Sequence, residues 1–143
     1  MTPKKIKTEG VEKGDYKVFA KKAKDFYDIM LTAKKADNWT ATGLNSVHCV
    51  ISSCDAVLTF HLGIRSISDD HMDAVELLQR LPSAVEGGEA GTYRRIVAKK
   101  NLIAYENRDF RESEAIEIAK RSLLRASTGG LRPNSVKRCT DLK

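Results

Sequence analysis

Apolar residues recur at steps of three and four along most of this chain, and no segment shows sustained alternation of period two. That spacing lines one face of a helix and excludes an ordinary half-buried sheet. Phe19, Ala23, Phe26, Met30 and Ala33 form the first stripe, with Lys21, Lys22, Lys24, Asp25 and Asp28 left to solvent. Asp15 stands where a helix cap is needed. The pattern breaks at Asp37-Asn38, and a second helix from about Thr40 to Leu62 takes Leu44, Val47, Ile51, Leu58 and Leu62 as its stripe. Gly63 is placed to end it.

Ser68 followed by Asp69 and Asp70 has the chemistry of an N-cap with acids in the first turn. It predicts a third helix running through Ala74, Val75, Leu77, Leu78 and Leu81, stopped by Pro82, which lacks a donor and crowds the preceding turn. The glycine-bearing stretch from Ser83 to Gly91 reads as a loop. A fourth helix is expected from about Thr92 to Glu106, on Tyr93, Ile96, Val97, Ile103 and Ala104. A fifth is expected from about Glu112 to Ser127, on Ile116, Ala119, Leu123 and Ala126, closed by Gly129-Gly130. Short links favour antiparallel neighbours, so the expected fold is all-α, an up-and-down antiparallel bundle of four to five helices without strands.

With 143 residues, 41% hydrophobic and 31% charged, the chain fits one domain that buries a core without staples. The net charge of +6 is uneven: residues 1–38 carry 10 Lys against 6 acids, residues 129–143 carry 4 basic groups against Asp141, and the middle is near neutral. The expected organisation is a basic tail over 1–14, a bundle over 15–128 and a second basic tail over 129–143. Basic tails attract nucleic acid weakly and with salt sensitivity, and they also serve as plain solubilising decoration. Cys49, Cys54 and Cys139 have no zinc-type spacing, so they read as structural thiols, and neither a metal nor a cofactor is expected. No apolar leader opens the sequence and no run approaches the ~18 apolar residues of a membrane span, so the expected setting is the cytoplasm, away from membranes.

Candidate chemistry gathers at a few positions. His48 and Asp55 fall seven residues apart on or beside the second stripe, with Ser52 between them. They would form a polar cluster at the bundle centre or a dimer seam, or simply a satisfied core pair; about 10 Å of helix rise separates them. Arg65 and His71 flank the Ser68 cap, a spacing that can set a guanidinium and an imidazole around a phosphodiester or merely anchor a loop. Lys100 lies on an apolar stripe, where an unpaired ammonium is costly. With Asn101 and Tyr105 it gives an inward amine, an amide and a phenol within about one turn, unless Lys100 snorkels and Tyr105 packs with its hydroxyl at the rim. Arg108, in the following turn, is a further anion-binding candidate. Signatures of the common nucleotide-binding, zinc-protease and serine-hydrolase motifs are absent.

The run from Asn45 through His48, Ser52 and Asp55 to Leu58, then Asp70-His71 leading into Val75-Glu76-Leu77-Leu78, resembles a HEPN domain. So does Lys100-Asn101-Leu102-Ile103-Ala104-Tyr105-Glu106 followed by Arg108, Phe110 and Glu114-Ala115. The resemblance covers about residues 15 to 127 and is strongest to small prokaryotic members. It implies a helical bundle that dimerises, often encoded beside a minimal nucleotidyltransferase. In many members it also implies a metal-independent ribonuclease toxin, with Arg, a polar residue and a later His on one late helix. Lys100 stands here where that Arg would be, and Tyr105 where the His would be. Lysine lacks the bidentate fork, and a phenol is a weak proton shuttle near neutrality. The expectation is a non-catalytic dimeric module of toxin–antitoxin type that binds a nucleotide, RNA or a nucleotidyltransferase. The alternative is a metal-independent RNA endonuclease using Arg65 and His71, or the surface from Lys100 to Tyr105.

Overall fold

The computed structural model describes residues 5–82, 90–105 and 111–116. It is mostly helical. A 3-10 turn, Lys13–Asp15, leads into α1, Tyr16–Lys35, which is followed by α2, Trp39–Leu62. Asp15 occupies the cap position but has helical dihedrals of φ −69 and ψ −8, so its side chain makes no capping bond. The expected stripe is buried at Phe19, Ala23, Met30 and Ala33, joined by Ala20 and Tyr27, while Phe26 is half-buried. On the solvent side Lys21 pairs with Asp25 at 2.8 Å and Lys24 with Asp28 at 2.6 Å.

The reversal between the two helices turns on Asp37, whose φ of 56 lies in the left-handed region that short polar side chains tolerate. The Asn38 backbone N–H then donates to Ala33 O at 2.9 Å, and the Asn38 side chain accepts from the Ala41 N–H at 3.2 Å. One residue thus closes the first helix and caps the second.

Helix α2 is central. It contacts α1 and each of the three later helices defined below. Residues 52–59 are buried without a break, which a single stripe does not anticipate. Three of its buried hydroxyls bond back along the helix: Thr42 donates to Asn38 O at 2.8 Å, Ser46 to Thr42 O at 2.7 Å, and Ser53 to Cys49 O at 2.8 Å, whereas the buried Thr59 Oγ1 has no hydrogen-bond partner among the described residues. Leu62, placed on the stripe by its spacing, is 45% exposed, because it sits at the helix end beyond the packed layer.

Gly63 ends α2 with φ 63, and its N–H donates to Thr59 O at 3.0 Å. The expectation of no strands is corrected at this point. Strand β1, Thr8–Gly10, pairs antiparallel with β2, Ile64–Ser66, in the register Thr8↔Ser66, Glu9↔Arg65, Gly10↔Ile64. Three-residue strands are too short to write an alternating pattern. The Val11 N–H donates to Gly63 O at 2.8 Å and the Ile67 N–H to Lys7 O at 3.0 Å, extending the ribbon at both ends. Ile6, in the stretch read as a basic tail, joins the core at 8% exposure.

Helix α3, Met72–Gln79, begins later than Ser68. The Ser68 hydroxyl instead accepts from the Asp70 N–H at 3.1 Å and donates to Asp73 at 2.7 Å, while the Asp70 carboxylate accepts from the Met72 N–H at 2.9 Å. The carboxylate that holds the start of α3 is thus that of Asp70, two residues beyond Ser68, while His71 at the cap position makes no side-chain capping bond. The helix also stops at Gln79, before Leu81, which is buried beyond its end.

The expected fourth helix is two, α4 at Ala90–Ala98 and α5 at Lys100–Tyr105, separated at Lys99. The Lys99 N–H bonds three residues back to Ile96 O at 3.1 Å, a local tightening that shifts the phase of α5 relative to α4. Residues 112–116 are helical, with Ala115 fully buried. The remainder of the expected fifth helix, the C-terminal basic stretch with Cys139, most of the loop from Ser83 to Gly91, and Arg108 lie outside the described residues. Val47, Val50, Leu58, Val75, Leu78, Tyr93, Ile96 and Ile103 make up the shared core, and burying each aliphatic side chain is worth roughly 1.5–3 kcal/mol. Among the described residues no helix is long and apolar enough to cross a membrane.

Candidate functional site

Three elements deliver polar side chains to one place. His71 ends the link between β2 and α3, immediately before the first residue of α3. Lys100 opens α5, just after the break at Lys99. Its Nζ lies 3.2 Å from His71 Nε2, and both side chains are part-buried. An ammonium has donors alone, so in this contact Lys100 donates and Nε2 accepts, which requires His71 neutral with its proton on Nδ1. Burial and then the Lys100 charge hold the His71 imidazole below its ordinary range, while Asp70 pulls the other way.

His48, from the middle of α2, completes the group. Its ring stacks on Phe26 of α1 with centroids 5.1 Å apart and planes 25° apart. Burial lowers its basicity most, followed by the charges of Lys100 and His71. A proton on either imidazole therefore meets an existing positive charge, and the group as a whole holds one cation beside two neutral rings.

Two pockets flank His71, and Asp70 borders both. One, of about 220 Å³, is lined by Asp69, Met72, Val97 and Lys100 besides those two. The other, of about 290 Å³, opens on the α2 side and is lined by Asp55, Arg65, Ser66, Ser68 and His71 among others. Asp55 and Arg65 stand close in its wall, with Nη2 3.8 Å from Oδ2, while Arg65 Nη1 is 3.6 Å from Glu9 across the β ribbon. Phe19 backs the guanidinium, 5.1 Å from its centre. These distances suit charge attraction without a direct hydrogen bond. Arg65 Nε is buried and has no hydrogen-bond partner among the described residues. Burial pushes the Asp55 carboxyl up to about 6, against the opposing pull of Arg65 and Lys22.

The sequence candidates separate on this frame. His48 and Asp55 do not pair with each other: His48 stacks on Phe26 and feels the charges of Lys100 and His71, and Asp55 pairs with Arg65. Arg65 and His71 line one pocket, as their spacing allowed. Lys100 points to His71, so its place on the stripe reflects a polar partner. Tyr105 does not join them. It is 79% exposed, because five residues carry it about 140° around the helix from Lys100 and two residues set it opposite the buried Ile103. The Asn101 side chain lies outside the described ones. His61 sits apart at the end of α2, edge-on to Phe60 at 4.8 Å, its basicity lowered by burial and then by Lys13.

Phe26 behind His48, Glu9 beside Arg65, and the pocket-lining Ser66 and Asp70 escaped the sequence. Phe26 looked like any stripe residue, and Glu9 becomes a neighbour through strand pairing alone. Cys49 and Cys54 are buried free thiols, and burial and then the Asp55 charge push Cys54 up beyond any reactive range. Among the described residues no group of three or more His, Cys, Asp or Glu could hold a metal ion. No family model, curated protein or solved structure matches the chain.

Proposed function

We propose that this is a HEPN-like helical protein that binds a nucleotide-type ligand, with the ligand's phosphate at Lys100 and His71. The observation that supports it is the approach of Lys100 to a neutral His71 beside His48, at a place with open pockets on both sides. An ammonium has three N–H donors, and one is used on His71. The others are available to a phosphate. The neutral imidazoles can donate an N–H to its oxygens without adding charge to the site.

Titration calorimetry of the full chain with nucleoside monophosphates tests this. Binding that weakens at least about tenfold in Lys100→Met is expected, the equivalent of one charge-assisted hydrogen bond. Binding untouched by that change, or none at all, would overturn it. The same resemblance carries a homodimer and a nucleotidyltransferase partner, which sedimentation and co-purification test directly.

The shared pocket of Arg65 and His71 favours a second function, metal-independent RNA cleavage. With the Lys100 ammonium drawn from Nε2 onto the phosphate, the neutral His71 imidazole can take the 2′-hydroxyl proton as the 2′-oxygen displaces the 5′-oxygen at phosphorus, and return that proton to the departing 5′-oxygen, while the Arg65 guanidinium offsets charge gathering on the phosphate. Degradation of RNA in the presence of EDTA, abolished by His71→Ala, would establish that activity. Intact RNA under those conditions leaves the binding module.

A further inference from the structure

The α2-side pocket has a wall of two adjoining and opposite characters. Asp55, fixed in the buried middle of α2, presents two acceptor oxygens when ionised. Among the described residues Arg65 at 3.8 Å is its ion-pair partner, with a further attraction from Lys22, and the Arg65 distance is too long for a hydrogen bond. Arg65, fixed by the β ribbon, presents donors alone and is held between Glu9, Asp55 and the Phe19 ring. Its side chain is 36% exposed, so the guanidinium keeps N–H donors that a ligand can reach. A ligand that repays both residues needs two N–H donors side by side for the carboxylate and, next to them, an acceptor for the guanidinium.

Guanine has that edge: N1–H and the N2 amino group adjoin O6, and its N7 lies on the other side of O6. Adenine offers one amino donor beside a ring nitrogen, so it cannot engage both carboxylate oxygens from that edge. A volume of about 290 Å³ is small among ligand pockets, and suits one base better than a whole nucleotide. His71 borders this pocket and also meets Lys100 on its other side, so a base lodged against Asp55 leaves its sugar and phosphate directed toward Lys100. We propose that the pocket formed by Asp55, Arg65, Ser68 and His71 is a guanine-binding site, reading the base through Asp55 and Arg65. The position of the phosphate rests on the function proposed above, whereas recognition of the base does not.

The test uses the full chain with guanosine, adenosine and their monophosphates, followed by titration calorimetry at neutral pH. Guanosine should bind about tenfold or more tightly than adenosine, the discrimination of one good bidentate pair. Asp55→Asn, which keeps the shape and removes one acceptor, should bring the two nucleosides near parity. Lys100→Met should remove the advantage of guanosine monophosphate over guanosine. Equal binding of the two nucleosides by the unaltered chain would overturn the guanine site, as would a preference that survives Asp55→Asn, or no binding of either nucleoside. Monophosphates bound without regard to base would overturn the guanine site and leave the phosphate position standing. Guanosine preferred, with no gain from its phosphate, would support the guanine site and remove the phosphate position.

Discussion

Replacing Asp55 with Asn should make the protein more stable at neutral pH. The folded state raises this carboxyl from 3.8 to about 6. A raised acid is favoured by folding in its protonated form, so its ionised form works against folding. The penalty is absent below 3.8, grows as pH rises through the window to about 6, and is constant above it. At about 1.4 kcal/mol per unit of pKa, the plateau is about 3 kcal/mol. The attractions of Arg65 and Lys22 are already inside that figure, since they pull the acid down while burial pushes it up. With 12% of the side chain exposed, solvent screening trims the value without changing its sign. Asn has nearly the shape of the protonated acid, so the variant should escape the penalty.

Urea unfolding of both proteins from about pH 4 to about pH 8 isolates the effect, because every other titrating group cancels in the difference. The variant's advantage should open across the window from 3.8 to about 6 and then hold level. In a thermal melt, roughly 2–4 °C per kcal/mol is expected for a chain of this size. A difference that is flat with pH, or a variant that is weaker above pH 7, would refute the reasoning. It would mean that the ionised pair with Arg65 is worth more than the desolvation of the carboxylate.

Lys100→Met should raise the basicity of both His48 and His71, because the Lys100 charge is the second cause depressing each; proton NMR titration of the imidazole Cε1–H signals reads both. Unchanged titration at His71 would contradict the 3.2 Å contact. Acidification through the lowered His71 range should cost stability in the unaltered chain, since folding there excludes a proton that the unfolded imidazole accepts below 6.5. A His71→Gln variant should flatten that part of the stability profile. Gly63→Ala should destabilise by at least about 1 kcal/mol, because φ is 63 and an added Cβ would come within 3.2 Å of Val11 O. Denaturant unfolding measures it, and a neutral result would show that the start of β2 yields easily.

The α1–α2 hairpin was legible because its determinants are local: a stripe on α1, Asn38 at the turn and Gly63 at the end. The parts that escaped depend on residues far apart in the chain. The β ribbon joins residues 8–10 to 64–66, and neither segment is long enough to advertise itself. The split between α4 and α5 falls at Ala98-Lys99-Lys100, where no proline or glycine marks a break. Tyr105 was legible as lying off the Lys100 face, since five residues turn a helix by about 140°. An ammonium on an apolar stripe was a visible anomaly, and its cause is an imidazole 29 residues away. Asp55 was visible as a buried acid, but its partner Arg65 depends on the course of the chain after Gly63.

Thr8 emerges during synthesis long before Ser66, the residue it must pair with. The ribbon therefore closes a large loop, whereas α1 and α2 meet across a short turn, and large loops close at greater entropic cost. The guanidinium's cradle has one side from the segment before α1 and the other from beyond α2, so it takes shape after the helical hairpin does. Pulse-labelled amide exchange during refolding would see this as late protection at Val11 and Ile67, whose N–H groups are held by the ribbon. A nascent chain would then have its scaffold before it had a binding pocket, and could engage no ligand there until the N-terminal segment returned to the end of α2.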